Sequence, residues 1–220
     1  MFLPPLVGDI NKNLADQAQA IYAEKFDTAV HAPTGIISDI CHYSTEKVPI
    51  ENLTVTTYFS TENMQPNKAS ATVATSLPSV PQTTKCNPGD VLVSNIRPYF
   101  KKIEYIVSGC GCSTDVLCFV PESKELSTFL YETLYADKFF EYMVAGSKGT
   151  KMPRGDKQQI MHYPIINPSA DQLSSFNEIV IPILELIANN NAENKRLAGI
   201  RDSLLPRLMS GEIDVSDIDI

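Results

Sequence analysis

The sequence has no uninterrupted apolar run near the roughly 18 residues that a membrane-spanning helix requires. Its first residues, MFLPPLVGDI, reach proline at once and show no positively charged segment followed by an apolar one, as a secretory leader would. The cysteine count of five is odd, which does not suit a complete set of disulfides. We therefore predict a cytoplasmic protein with reduced thiols and no membrane contact.

Motifs that would identify an enzyme are also missing. The sequence contains no GxxxxGK[ST] phosphate loop and no GxGxxG dinucleotide fingerprint. Neither NPGD at 87 nor NPSA at 167 supplies the Asn/Asp-Pro-Pro-aromatic motif of adenine methyltransferases. The three histidines, His31, His42 and His162, are isolated, and no nucleophile stands beside a base. We predict no catalytic residue in this chain.

Two arrangements resemble metal sites. Asp90 with Glu122 and Lys124 could hold a divalent cation as in a nuclease, but Asp90 also fits a Pro-Gly-Asp turn and the ESK triplet fits a helix start. CGCSTDVLC places Cys110, Cys112 and Cys118 close together, without the CxxC spacing typical of zinc. We favour the turn, the helix start and buried apolar thiols, and therefore predict no metal site.

Positive charge is scarce but clustered. The chain of 220 residues has a formal charge of -8, with 43% hydrophobic and 20% charged residues, as in a soluble globular protein. The last ten residues contain four acids, Glu212, Asp214, Asp217 and Asp219, and no base. The rest of the chain is therefore only mildly acidic, and its distribution of charge is more informative than the total.

Bases concentrate in two segments. The aromatic segment, NIRPYFKK (residues 95–102), interleaves Arg97, Lys101 and Lys102 with Tyr99 and Phe100. The basic loop, AGSKGTKMPRGDKQQI (residues 145–160), combines glycines with the bases and small hydroxyls Ser147, Lys148, Thr150, Lys151, Arg154 and Lys157. Each segment suits either phosphate binding or an ordinary solvated loop, and its aromatic or glycine context favours phosphate.

The pattern of elements predicts an α+β fold. Helical periodicity covers residues 9–26 and 123–145. Between them, six runs are rich in β-branched and aromatic residues and are separated by turn residues: GIISDIC, LTVTTYF, SATVAT, VLVSNI, IEYIVS and DVLCFV. IMHYPII reads as one more strand. We predict a mixed, mostly antiparallel β-rich domain.

The last element predicted is a long helix. Asn167 and Pro168 read as its N-cap and first residue, and the helical pattern continues to about Ser210. Its apolar positions follow a heptad pattern: Leu173, Phe176, Val180, Ile183, Ile187, Leu197, Leu204 and Leu208. The first helix is less than half as long, so this helix lacks a full partner in its own chain. We predict coiled-coil contacts with a second subunit and a homodimer.

The C-terminal sequence resembles a known family. NAENKRLAGIRDSLLPRLMSGEIDV, with LLPRLMSGEI at 204–213, is similar to the C-terminal conserved helix of the specificity (S) subunits of type I restriction-modification systems. NLADQAQAIYAEKF resembles the end of the family's central conserved helix, and GDVLVS (89–94) and the basic loop are similar to parts of its recognition domain. A full S subunit has two recognition domains, so this chain looks like a half subunit.

The resemblance implies how the chain is organised and what it does. It implies an N-terminal spacer helix at 1–30, a target recognition domain at 31–166, a coiled-coil helix at 167–212 and an acidic tail at 213–220. It also implies a non-catalytic subunit that reads double-stranded DNA and docks modification and restriction subunits. S-adenosylmethionine, ATP and magnesium would belong to those partners, with no cofactor in this chain. The alternatives are a coiled-coil protein-interaction module and the metal-dependent nuclease.

Overall fold

A computed structural model describes residues 5–28 and 31–212, with the side chains of residues 5–9 left undescribed. The helices in this part of the chain are α1 Pro5–Phe26, α2 Ser127–Tyr135, α3 Asp137–Ala145, α4 Lys157–Ile160 and α5 Ala170–Met209. The strands are β1 Gly35–Ile36, β2 Cys41–Tyr43, β3 Lys47–Pro49, β4 Tyr58–Phe59, β5 Gln82–Cys86, β6 Val91–Ser94, β7 Ile103–Tyr105, β8 Cys110–Cys112, β9 Val116–Pro121 and β10 Pro164–Ile165. The acidic tail lies outside the described residues.

The strands form two four-stranded sheets and one two-stranded sheet. The first sheet has the order β2-β9-β6-β7 and is antiparallel throughout. The second has the order β3-β5-β8-β4, in which only the β4–β8 pair is parallel. β1 pairs antiparallel with β10, far along the chain. The predicted α+β class with mostly antiparallel strands is confirmed.

The central strands alternate between two cores. Val91 and Val93 of β6 belong to a large core cluster with the helices, whereas Leu92 between them belongs to a second cluster with the thiols of the other sheet. β9 does the same, since Phe119 joins the first cluster and Cys118 the second. Because successive strand side chains point to opposite faces, both faces of this sheet are buried. The first sheet is therefore the middle layer of the domain.

The helices cover one face of that sheet and pack on each other. Phe26 at the end of α1 lies edge-on to Phe129 of α2 and Phe176 of α5, with ring centroids 5.0 and 5.6 Å away. At the other end of α1, Asn11 hydrogen-bonds Asn191 of α5. α1 and α5 are therefore antiparallel, and their shared end is anchored in the domain core. No helix in the described ranges is long and apolar enough to cross a membrane.

Two predicted strands are mostly loop. Of LTVTTYF only Tyr58 and Phe59 are in a strand, and SATVAT has no strand residue. The buried side chain of Asn63 explains the difference, because its Nδ2 donates to the Tyr58 and Thr72 carbonyls at 3.0 and 2.9 Å. The Thr72 amide in turn donates to the Asn63 carbonyl. Side-chain hydrogen bonds replace a strand ladder here.

The predicted helix over 123–145 is broken. Ala136, between α2 and α3, has an extended backbone with ψ of 139°. The break turns the chain so that Leu130 and Leu134 before it and Phe140 after it reach the same core cluster. One straight helix would have turned Phe140 away from the face that Leu130 and Leu134 share.

The start of α5 and the run IMHYPII also differ from the sequence prediction. The N-cap of α5 is Ser169, whose hydroxyl accepts from the Gln172 amide while the Gln172 side chain accepts from the Ser169 amide. This reciprocal capping box sets the start two residues after the predicted Asn167. In IMHYPII, Ile160 ends α4, Met161 and His162 form a turn, and only Pro164 and Ile165 are in a strand.

Candidate nucleic-acid interface

The aromatic segment and the basic loop lie side by side. The Arg97 amide donates to the Pro153 carbonyl at 2.8 Å, and the Gly155 amide donates to the Asn95 carbonyl at 3.1 Å. These are main-chain contacts, so the junction does not depend on flexible side chains. The structure thus brings together two segments that are far apart in the sequence.

The basic loop is closed on itself. The amides and carbonyls of Lys148 and Arg154 exchange two hydrogen bonds of 2.9 and 3.0 Å. Gly149, inside the closure, has a φ of +100°, a conformation that favours glycine. Thr150 and Lys151, which follow Gly149 inside the closed loop, are exposed. The closure presents a small cationic tip, while the Ser147 hydroxyl donates to the Val144 carbonyl three residues earlier.

Acids neighbour several of the predicted bases. Lys148 pairs with Asp156 at 2.6 Å, and that hydrogen bond holds the pKa of the Asp156 carboxyl below its ordinary value. Arg154 pairs with Asp115 at 3.0 Å. All of these side chains lie at the surface, where such pairs stabilise little and a phosphate can replace the acid. Lys151 has no acid partner among the described residues.

Lys101 and Lys102 have partners elsewhere in the domain. Lys101 and Lys68 both pair with Asp137 of α3, at 2.9 and 2.7 Å. The Lys102 ammonium donates to the Thr61 carbonyl at 2.5 Å, and partial burial lowers its pKa. Both lysines therefore tie the aromatic segment to the domain. Lys157, by contrast, is exposed and lies 5.9 Å from the centre of a tyrosine ring.

The aromatic residues occupy a tight turn. Residues Pro98–Phe100 form one 3-10 turn, and Arg97 and Lys101 on either side have left-handed backbones with φ of 50° and 51°. The Tyr99 and Phe100 rings contact each other, with centroids 4.7 Å apart. Non-glycine residues in this conformation are strained and concentrate at functional sites.

Sequence reasoning missed two polar residues of this junction, Asn95 and Gln159, although it named Arg97 beside them. Asn95 Oδ1, Arg97 Nε and Gln159 Oε1 are buried without a hydrogen-bond partner in the described part of the chain. A β-carbon placed on Gly155 would lie 2.9 Å from Asn95 Oδ1, so this glycine permits the close approach. The glycine and the asparagine that follows a buried strand were the available signals, and neither is specific.

The heptad residues of α5 fall into two groups. Phe176 and Val180 are fully buried, and Leu173, Ile183 and Ile187 pack partly buried against the same core of their own chain. The outer three, Leu197, Leu204 and Leu208, are exposed at 49, 38 and 40%. Of the predicted heptad residues, only these three are exposed enough to contact another chain.

The two arrangements that resembled metal sites have other contacts. Asp90 is buried and accepts from the Asn87 amide at 2.7 Å, whereas Glu122 is exposed and bonds His42 at 2.7 Å. Cys86 and three further thiols, Cys110, Cys112 and Cys118, are buried in the second core cluster. Across residues 5–28 and 31–212, no group of His, Cys, Asp and Glu is arranged to hold a metal ion.

A cleft of about 810 Å³ lies between the helical pair, strand β7 of the first sheet, and β4 and β8 of the second sheet. Lys195 of α5 lines it opposite Glu104 of β7 and Tyr135 of α2. Burial raises the pKa of the Glu104 carboxyl, while the charge of Lys195 lowers it. Lys101 also lines the cleft, which places the cleft beside the aromatic segment rather than on the face of the basic loop.

Comparisons with known proteins cover part of the sequence and most of the fold. No protein-family model matches the chain. Over 95 residues it is 36% identical to the type I restriction enzyme HindI specificity subunit of Haemophilus influenzae, a match covering 43% of this chain and 21% of that one. Over 76 residues it is 37% identical to the MjaIX specificity subunit of Methanocaldococcus jannaschii, covering 34% and 18%. The matches thus span far less than two thirds of these relatives.

Solved structures extend the comparison to nearly the whole chain. The S subunit of a type I restriction-modification system from M. genitalium aligns with a TM-score of 0.60 at 15% identity, over 92% of this chain and 55% of that one. A structure from work on assembly and conformational transition of the type I system aligns with a TM-score of 0.50 at 15% identity, over 92% and 53%.

The fold and the site define an α+β protein in which one β-rich domain is joined to an antiparallel pair of helices. By its sequence matches and its fold, the chain is related to the specificity subunits of type I restriction-modification systems, as the sequence resemblance predicted.

Proposed function

We propose that this chain is a DNA-recognition subunit of a type I restriction-modification complex and reads one half of a bipartite target. The observation that carries the proposal is the main-chain junction of the aromatic segment and the basic loop, which brings the two base-rich segments side by side. Glycine-rich basic loops approach phosphate closely, and adjacent side chains read base edges. The sequence relatives are specificity subunits, which supports the same function.

The geometry supports different roles for the predicted residues. Lys148, Thr150, Lys151 and Lys157 are exposed and suited to phosphate contacts. The proposed base-reading residues are Arg97, Tyr99 and Arg154, because they flank the junction. Lys101, Lys102 and Ser147 are bonded to their own domain, so we assign them to positioning the two segments.

We further propose that different parts of the chain have different roles. Residues 31–166 form the recognition domain, and the helices at 1–30 and 167–212 form the spacer. Two copies of the chain would rebuild a pseudo-complete specificity subunit through the exposed outer positions of α5. Modification subunits would dock on the helices and supply S-adenosylmethionine and adenine methylation, and a restriction subunit would cleave DNA using ATP and magnesium. This chain would perform no catalysis.

Methylation profiling tests the function. A host that carries the modification subunits is profiled with this gene, without it, and with a variant in which Lys148, Lys151, Arg154 and Lys157 are replaced by Glu. We expect a bipartite adenine-methylated sequence in the first profile only. Methylation of the same sequence in the absence of this gene, or in the presence of the charge-reversed variant, would contradict the proposal.

A further inference from the structure

The structure exposes two aromatic rings and covers the others. Of the phenylalanine and tyrosine side chains described within residues 10–28 and 31–212, only Tyr99 and Phe100 are exposed, at 49 and 38%. They are adjacent in the chain and their rings touch. Exposed aromatic rings cost hydration free energy, and elsewhere this fold buries them. The exception therefore marks a contact surface.

The turn that presents the rings is rigid. Its two ends, Arg97 and Lys101, are both left-handed, and the Phe100 carbonyl accepts from the Asn67 amide at 2.8 Å. The Lys101 carbonyl accepts from the Lys68 amide at 2.9 Å, which fixes the other side. Because these hydrogen bonds already order the strained turn in the free protein, little conformational entropy is lost when the turn binds a partner.

The charges around the rings indicate the chemistry of the partner. The Lys102 ammonium lies 5.9 Å from the centre of the Phe100 ring, and the basic loop is joined to the segment through Arg97 and Pro153. Two exposed aromatic rings with positive charges beside them suit a partner that has anionic groups on its surface and flat apolar faces between them. Stacked base pairs between two phosphate backbones have that arrangement.

We propose that Tyr99 and Phe100 form a wedge that inserts between two adjacent base pairs of the half-site, unstacks them and kinks the duplex. The inference rests on the proposed function and adds to it a mode of contact that depends on DNA deformability. Part of the sequence preference at this step would then come from how readily the step opens, since pyrimidine–purine steps open more easily than others.

The test measures binding and bending together. The chain, assembled with its modification subunits, is titrated onto a DNA duplex that contains the target sequence found by methylation profiling. Energy-transfer dyes at the two ends of the duplex report their distance and hence the bend. Four proteins are compared: the unchanged chain, Tyr99→Ala/Phe100→Ala, Tyr99→Leu/Phe100→Leu, and Val80→Ala as a control at an exposed apolar residue in another loop. Thermal unfolding verifies that each is folded.

The wedge predicts a specific set of results. The alanine variant loses the kink and about 10-fold or more in affinity. Its salt dependence stays that of the unchanged chain, because no phosphate contact is removed. The leucine variant retains the kink, since leucine also serves as a wedge. Val80→Ala behaves as the unchanged chain.

Three results would overturn the wedge while leaving DNA recognition intact. The first is an alanine variant that binds and bends the target as the unchanged chain does. The second is a loss of affinity in the alanine variant together with a smaller salt slope, which would mean that the turn only positions the lysine and arginine side chains. The third is loss of the kink in the leucine variant as well, which would indicate stacking on an extruded base. Absence of target binding by the unchanged complex would instead refute the proposed function itself.

Discussion

Asn11 of α1 and Asn191 of α5 hydrogen-bond across the helical pair, with Asn11 Nδ2 2.8 Å from Asn191 Oδ1. The Asn11 oxygen accepts in turn from Asn190 Nδ2 at 2.8 Å. These side chains are partly buried between the two helices, where apolar residues would be the usual choice. Each asparagine bond therefore takes the place of a hydrogen bond to water. A polar layer of this kind fixes the register of two packed helices.

Removing this layer should weaken the helical pair. Asn11→Ala leaves Asn190 and Asn191 without their partner, and we expect the free energy of unfolding to fall by about 1 kcal/mol. Lys12→Ala is the matched control: Lys12 is the next residue on α1, its side chain is exposed, and its 3.5 Å pair with Asp16 stabilises little. Urea unfolding of both variants measures the difference, and equal effects would show that the asparagine contacts contribute nothing specific.

Lys151 should contribute to DNA affinity through charge alone. Because it is exposed without an acid partner in the described chain, Lys151→Ala should weaken binding to every DNA sequence alike and lower the salt slope by about one. Lys124→Ala, an exposed lysine at the start of the α2 region, should leave the slope unchanged. Binding measured over a series of salt concentrations checks both. A sequence-dependent loss would reassign Lys151 to base reading.

Glu132 should make the stability of the domain depend on pH. It is 1% exposed, and burial raises its pKa from 4.5 to about 8, against smaller opposing effects of Gln19 and Lys68. The folded state therefore keeps a proton that the unfolded state loses between about pH 4.5 and 8. The free energy of unfolding should fall as pH rises through this range, by about 1.4 kcal/mol for each unit of difference in pKa.

Glu132→Gln should remove this contribution, because the amide does not ionise. Relative to the unchanged chain, the variant should gain stability as pH is raised from 5 to 8, whereas Glu178→Gln, at an exposed position on α5, should follow the unchanged chain. Denaturant unfolding at several pH values provides the comparison. Parallel pH curves for the unchanged chain and Glu132→Gln would exclude Glu132 as the source.

The outer part of α5 should determine self-association. Leu204→Asp places a charge on the exposed apolar stripe, so the proposed homodimer should dissociate to monomer. Ser203→Asp places the same charge one residue away, about 100° around the helix and off the apolar stripe, and should leave the dimer intact. Sedimentation at micromolar concentration, with and without modification subunits, measures the states. A strict monomer for the unchanged chain under both conditions would refute the dimer.

Long periodic elements could be predicted from the sequence and short ones could not. The heptad pattern of α5 predicted its existence and nearly its end, because a helix repeats one local pattern over many residues. β3 and β8 have three residues each, too few for an alternating pattern to show. The interpretation of SATVAT failed because a side chain at Asn63, some distance away in sequence, satisfies backbone groups there.

The candidate interface was predictable in composition but not in geometry. Clustered bases and neighbouring aromatics indicated the two segments, yet nothing local showed that the Arg97 amide would meet the Pro153 carbonyl. The pairing of Arg154 with Asp115, and of Lys101 with Asp137, was equally hidden, because each joins residues distant in the chain. Which bases are exposed and which serve the fold is a tertiary property.

Main-chain hydrogen bonds, between Arg97 and Pro153 and between Gly155 and Asn95, hold the backbone of the basic loop in place. The backbone conformation therefore does not depend on which side chains the loop exposes. Amide and carbonyl groups are the same for almost every residue type, so replacing the exposed side chains of the basic loop leaves these bonds in place. A lineage can therefore acquire new side chains there one at a time without first losing the loop that carries them. In the proposed DNA-binding role, such a loop could change its target sequence while keeping its backbone shape.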